Sequence, residues 1–466
     1  MKQQVIALVT ALALALSLGV SVLAASTPAI RAAAPAPQEE SAAAETQEPA
    51  APEGTAETAA EVPAEDAGDT ADTEEEPTLA GPDDGAQSIV PDPVGSISFA
   101  NVERRIRENN LTILGLEENV AILQDIDYEK LEKDLRDGLN SIATAQWSMI
   151  QGASVGMIDS VAASLPKTSM QQQYDALRTQ FDDLKDGKLQ SDNETLIRQL
   201  QNGEDQLVLA GEATFIALAA MESQETSLQR QLAALNRTVE ELELRYQLGQ
   251  ISALQLQEAK AGRTALVSGL ETLRMNIRTY KTQLENMLGA ELTGTIHLGA
   301  VPAVTEKQIA DMDLERDLAA AKEKSYELRA AKATLDDAQE TYKDDADTYN
   351  YNDKKEGFRR AQHTWQAAQY TYTSAVQSYE LKFRTLYDQV HDYRQIWQAA
   401  RVALASEQAS YQASELKYQQ GTISKNALLA AEDDLRAAEA KVTTAANDLF
   451  SAYNTYCWAV EHGILN

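Results

Sequence analysis

The sequence predicts an all-α protein of long antiparallel helical hairpins from two tandem structural repeats, with β-barrel strands absent or vestigial. Three observations carry this. Past residue 96 only Pro166 and Pro302 interrupt a chain rich in Ala, Leu, Gln, Glu, Lys and Arg, the strong helix formers. Apolar residues in that body recur at spacings of three and four. A short turn motif then appears twice, 172 residues apart.

The chain opens with Lys2 and an apolar run from Val5 to about Ala25, ending in Val22-Leu23-Ala24. That is the pattern of a secretory signal peptide over residues 1–25, so the chain is expected to be exported. Residues 26–95 change character. Ten of the twelve prolines lie there, with 17 acidic residues against one basic, Arg31. A segment with so few large apolar side chains does not offset its ordering entropy, and it is expected to be a disordered, self-repelling linker.

The first helical half is placed at residues 96–291. Leu228, Leu232, Leu235, Val239, Leu242 and Tyr246 form one apolar seam, and Leu266, Leu270, Leu273, Ile277, Tyr280, Leu284 and Met287 form a second. RYQLGQISALQL lies between them. Gly249 can take the left-handed conformation that closes a helix, Ser252 is a good N-cap, Gln255 completes a capping box, and Ile251 with Leu256 makes a staple. The motif is therefore read as the tip of a helical hairpin.

Residues 292–310, with Gly294, Gly299 and Pro302 and no helical period over most of their length, form the connector. The second half, 311–466, repeats the plan. Tyr418, Gly421, Ile423 and Ser424 stand where Tyr246, Gly249, Ile251 and Ser252 stand in the first half, and a seam from Ala438 to Ala459 follows. VERRIRENNLTIL in the first half and DLAAAKEKSYELR in the second match more weakly, so each half is expected to begin with a helix, break, and return into its hairpin.

The formal net charge of -32 and the lack of a basic stripe exclude nucleic acid as a partner class. One cysteine, Cys457, excludes a disulfide scaffold, and it is read as a small buried hydrophobe beside Trp458. His297, His363, His391 and His462 lie far apart without ligand spacing, and no phosphate loop, nucleophile elbow or HExxH helix is present. No enzyme, cofactor or metal site is expected. Glu432, Asp433 and Asp434 read as a solvated face, or alternatively as a lumen-facing acidic ring.

With its secretory start, its two tandem helical halves and its Tyr-x-x-Gly-x-Ile-Ser turn once per half, the chain resembles the outer-membrane efflux protein family, the TolC-like export conduits. The resemblance covers about residues 96–466. It implies a homotrimer forming a hollow helical cylinder in the cell envelope, in the outer membrane where the organism has one. It also implies a periplasmic adaptor of the membrane-fusion type and an inner-membrane transporter as partners, with membrane contact. Tyr246, Gly249, Ile251, Ser252, Tyr418, Gly421, Ile423 and Ser424 would line the tip where the adaptor docks. Read from the residues alone, Tyr246 and Tyr418 are packed seam residues.

The family inserts barrel strands between the helices of each half. In the first half the candidate is Trp147 to Leu165, whose alternation is imperfect and which reads equally as helix. In the second, Lys343 to Arg360 is highly charged and reads as a solvated loop, while Tyr370, Tyr372 and Tyr379 read as helix packing. The alternative to a conduit is a non-transporting coiled-coil structural or interaction protein of the envelope.

Overall fold

The computed structural model describes residues 92–154 and 160–465, with side chains described except at 153 and 160–168. The expected signal segment, 1–25, and the expected linker as far as residue 91 lie outside the described residues. Two strands, β1 (Ser96–Ile97) and β2 (His297–Leu298), pair in parallel and tie the start of the first half to the connector. All else of regular structure among the described residues is helix. The first half contains α1 (Phe99–Asn109), α2 (Leu111–Gln124), α3 (Tyr128–Ser154), α4 (Ser160–Lys185), α5 (Lys188–Gln247) and α6 (Ala253–Met287). A short α7 (Glu306–Ala310) precedes α8 (Leu314–Lys324), α9 (Tyr326–Thr348), α10 (Glu356–Gln419) and α11 (Lys425–His462).

The 60-residue α5 and the 64-residue α10 far exceed the typical globular helix. At about 1.5 Å per residue each spans roughly 90 Å. Such length is stable because each buries an apolar stripe along its neighbours rather than through propensity alone. The long helices lie in one layer in the order α6, α5, α11, α10, so α5 and α11 are central and α6 and α10 are edges. The shorter α1 and α2 pack on α5, α8 packs on α11, and α9 packs on α10.

Each half has its own core. Ile97, Val102, Ile106, Val208, Phe215, Leu273 and Leu284 gather in the first, with Trp458 reaching in from α11. Leu318, Ala321, Tyr379, Phe383, Val390, Leu449 and Tyr456 gather in the second. The break expected near the start of each half is real and matched. Asn110 caps α2, accepting from the Thr112 and Ile113 amides at 2.9 and 3.3 Å, and Ser325 caps α9, accepting from the Leu328 amide at 3.3 Å.

The chain leaving each hairpin returns to that break. Gly289, at φ 63°, follows α6 and lies against the backbone of Asn109, while the Asn110 side-chain amide donates to Met287 O at 2.9 Å. Gly463, at φ 71°, follows α11 and lies against Lys324 and Ser325. The buried Tyr379 hydroxyl sits 3.0 Å from the carbonyls of both Ala321 and Gly463 and pins this second joint.

Several expectations are corrected. The loop expected over Lys343 to Arg360 shrinks to residues 349–355, flanked by α9 and α10. Its charges sit on solvated helix faces while Ala346 is fully buried, and Tyr342 stacks on Trp365 at 4.8 Å beside Phe358. The strand candidate from Trp147 to Leu165 is helical at both ends, in α3 and α4, with residues 155–159 outside the described residues. This α3–α4 hairpin has no counterpart in the second half. Tyr379 packs as expected, but Tyr370 is 73% exposed.

Candidate functional site at the paired hairpin tips

The two turns are built alike, because the same residues impose the same backbone. In the first, Gly249 at φ 71° donates to Tyr246 O at 2.9 Å and Gln250 donates to Arg245 O at 2.8 Å. In the second, Gly421 at φ 73° donates to Tyr418 O at 2.8 Å and Thr422 donates to Lys417 O at 2.9 Å. This is the paired closure in which a left-handed residue satisfies the last carbonyls of a helix. Ser252 then caps α6 through a full capping box with Gln255, and Ser424 caps α11 by accepting from the Ala427 amide at 3.2 Å. Ile251 and Ile423 are half-buried behind the caps.

The tips stand side by side. An Arg237–Asp433 ion pair and a 3.3 Å bond from the Asn426 amide to Glu241 join α5 to α11 just behind them. Asp433, read from sequence as part of a solvated face or an acidic ring, is thus a link between the halves. Lys260 and Glu243 pair at 2.6 Å across the first hairpin, and that partner holds the exposed Glu243 carboxyl below its ordinary range.

Tyr246 and Tyr418 are not packed in their seams. They are 45% and 40% exposed, and their repeat-related neighbours Leu244 and Leu416 are 58% and 57% exposed. The physical reason is the end of the hairpin itself. Burying a ring takes contacts on all sides, and the last turns of two helices supply them on one. Seam burial falls off along the hairpin, from fully buried Leu284 and Ile277 near the core to half-buried Leu266 and Leu256 toward the tip. The tips therefore present two repeat-related Leu–Tyr pairs to solvent around two rigid glycine turns. That arrangement suits a docking surface.

Sequence reasoning missed a polar cluster where the halves meet, far from the tips. Glu212 on α5 is 5% exposed and accepts from Asn454 Nδ2 and Trp458 Nε1 of α11, both at 2.7 Å. Burial raises its pKa despite these two bonds. Nearby, Asp205 bonds His462 at 3.1 Å and Arg107 at 2.7 Å, and these partners hold its carboxyl low against the opposing effect of burial. Only the alternation of Trp458 and His462 one turn apart on α11 hinted at it. Cys457 is half-buried, with its thiol pushed up to about 11 by desolvation, which makes it unreactive. Among the described residues no three His, Cys, Asp or Glu side chains gather as a metal site.

No family model matches the chain, and no curated protein does. Solved structures do. The outer membrane protein VceC from Vibrio cholerae is 15% identical, with a TM-score of 0.41 over 59% of this chain and 74% of its own. CusC, a protein that forms a transmembrane channel, is 13% identical, with a TM-score of 0.44 over 78% of this chain and 96% of its own. The outer-membrane channel OprN is 13% identical, with a TM-score of 0.44 over 78% of this chain and 90% of its own.

Proposed function

We propose that this protein is a TolC-like efflux or export conduit of the cell envelope. Three copies stand side by side, the α6 edge of one against the α10 edge of the next, and close a helical tube through which substrates pass. An adaptor of the membrane-fusion type docks at the tips formed by Tyr246, Gly249, Ile251, Ser252, Tyr418, Gly421, Ile423 and Ser424, and couples the tube to an inner-membrane transporter. Passive passage through a tube needs no catalytic residue.

The observation that supports this reading is the state of the two edges. α6 exposes Val267 at 40% and Met275 at 64%, and α10 exposes Leu381 at 67%, Ile396 at 54% and Val402 at 73%. Fully burying one such side chain stabilises by about 1.5–3 kcal/mol, so a lateral seam of this kind is worth forming. Apolar residues on both open edges of a four-helix layer are what lateral closure into a larger array would cover.

Negative-stain electron microscopy of the full chain tests it. Hollow threefold cylinders are expected for the wild type, and separate protomers for a variant carrying both Met275→Glu and Val402→Glu. Solitary rods from the wild type at every concentration would instead favour the second reading, a tethered coiled-coil spacer. That alternative draws support from one feature: the positions between the helices of each half carry the helical α3–α4 pair and the short 349–355 turn rather than strands among the described residues.

A further inference from the structure

The layer of four long helices has two faces, and one of them is covered by the shorter elements. On α10, Arg384 and Arg394 reach Glu315 and Glu306 at 2.9 and 2.5 Å, and Glu380 pairs with Lys322, so α7 and α8 lie on that side. On α5, Asp205 holds Arg107 of α1 at 2.7 Å, and Gly211 leaves room for Ile106. On α11, Phe450 meets Phe99 of α1 edge to face at 4.8 Å. On α6, Glu285 holds the amides of residues 294–296 in the connector.

The opposite face lies half a helical turn away from these contacts. On α5 it carries the exposed Ala213, Ala220, Gln224, Gln231 and Thr238, and on α6 the exposed Ala265, Thr272, Thr279 and Gln283. On α10 it carries the exposed Ser378, Thr385, Gln389 and Ala403. On α11, Ala437 and Thr444 are exposed, and Ser451 and Thr455 are half-buried. Along these stripes the charged residues are Lys382 on α10 and Asp434, Lys441 and Asp448 on α11, two of each sign. Lys382 and Asp448 flank a single groove of about 480 Å³ between α10 and α11, so one acid stands across from one base. Asp388 and Asp392 lie toward the open edge of α10. The net charge of -32 is thus carried elsewhere on the chain.

We infer that this open face is the inner wall of the tube, and that it passes hydrophilic cargo without selecting the sign of its charge. The inference rests on the conduit reading and deepens it. Curving a layer of helices into a tube crowds its concave side and opens its convex side. Ala, Ser and Thr on the open face suit the crowded side, and α1, α7 and α8 occupy the other face, where there is room for them.

The selectivity follows from the charge balance. A cleft lined by one sign of charge concentrates the opposite ion by about tenfold or more, whereas charges of both signs spaced along a neutral wall set up no such field. Hydroxyls and amides exchange hydrogen bonds with water and with hydrated cargo at little net cost, so this wall neither traps nor repels a polar chain. An acidic wall would instead draw cations in and hold them. The open face is too evenly balanced for that, although the chain as a whole is strongly acidic.

The test places one cysteine on the open face, Ala220→Cys or Thr272→Cys, in a full-length Cys457→Ser background, with Lys307→Cys on exposed α7 as the outside reference. All three positions are exposed, so the fold tolerates the changes. Negative-stain images first establish whether each protein forms cylinders. Biotin maleimide bound to streptavidin, too bulky for a narrow tube, is expected to label position 307 and to miss 220 and 272. A cationic and an anionic methanethiosulfonate of like size are then compared at about 0.1 M salt, where a screening length of about 10 Å lets the reagent sense the nearby wall. Their rate ratio at 220 and 272 is expected to lie within about threefold of that for free cysteine. In cylinders, a preference of about tenfold or more for either sign overturns the inference and leaves the conduit standing. So does streptavidin labelling at 220 and 272 as fast as at 307, which would put the open face outside. Solitary rods overturn the conduit reading and this inference with it.

Discussion

The two joints at Gly289 and Gly463 allow a sharp comparison with the two tip turns at Gly249 and Gly421. All four glycines have φ between 63° and 73°, so an alanine at any of them meets the left-handed backbone penalty of about 1–2 kcal/mol. What differs is the space around the added methyl. At Gly249 and Gly421 nothing lies within 4 Å. At Gly289 it would sit 2.4 Å from Asn109 O and 2.8 Å from Asn109 Cβ, and at Gly463 2.4 Å from Ser325 N and 2.6 Å from Lys324 C.

These neighbours are mostly backbone, held by the Asn110 and Ser325 caps, so relief requires one long helix to move against the start of its half. Overpacking of that kind costs about 1–3 kcal/mol beyond the backbone term. Gly289→Ala and Gly463→Ala are thus expected to destabilise by about 2–5 kcal/mol. Gly249→Ala should cost about 1 kcal/mol, because a stiffer unfolded chain offsets part of its penalty. Urea titration followed by far-UV circular dichroism at fixed protein concentration measures all four. Equal midpoints for Gly289→Ala and Gly249→Ala would refute the reasoning, because they would show that the return of α6 to the α1–α2 break is not a tight joint.

Four further predictions concern the buried and half-buried polar groups. Glu285, 2% exposed, accepts from the amides of Gly294, Thr295 and Ile296 at 2.6–3.1 Å and from the Thr293 hydroxyl at 2.9 Å, which lowers its pKa against burial. Glu285→Ala strands these donors and should cost about 3 kcal/mol by denaturant titration; with a depressed folded pKa, the wild-type advantage is present above the unfolded value of 4.5 and is lost as pH falls through the lower folded value. Glu212 behaves oppositely. Burial raises its folded pKa, so its contribution is greatest below 4.5 and declines as pH rises through the raised value, and Glu212→Gln should flatten the rise in unfolding sensitivity as pH climbs above 4.5. Trp458→Phe removes one of its two donors and should cost about 1–3 kcal/mol, read by thermal melting. The hydrogen bond to Asp205 raises the His462 pKa above 6.5, so this pair stabilises below that pH and weakens as pH rises through the folded value; as His462 is partly exposed, His462→Gln should cost only about 0.5 kcal/mol at pH 5.5 and nothing at pH 9, by parallel titrations.

By itself the sequence determined the helical body, the seams and the two tips. Those depend on interactions within a few residues: a glycine that closes a helix, a serine that caps the next, and apolar spacings of three and four that one helix face carries. Such signals are written locally and repeat intact from Tyr246–Ser252 to Tyr418–Ser424. The charged stretch around Lys343 reads as a loop for the same local reason, since composition does not reveal that Ala346 has a buried face to satisfy.

Only the tertiary structure decided the rest. The Gly289 joint depends on Asn109 and the Gly463 joint on Ser325, partners separated by well over a hundred residues with no motif to link them. The Glu212–Trp458 bond joins residues 246 apart, and a glutamate on a long amphipathic helix reads from sequence as solvated. The exposure of Tyr246 and Tyr418, and of the α6 and α10 edges, is likewise a property of how many helices reach a given level. Periodicity states which face of a helix is apolar, but how much of that face is covered depends on neighbours that the chain brings from elsewhere.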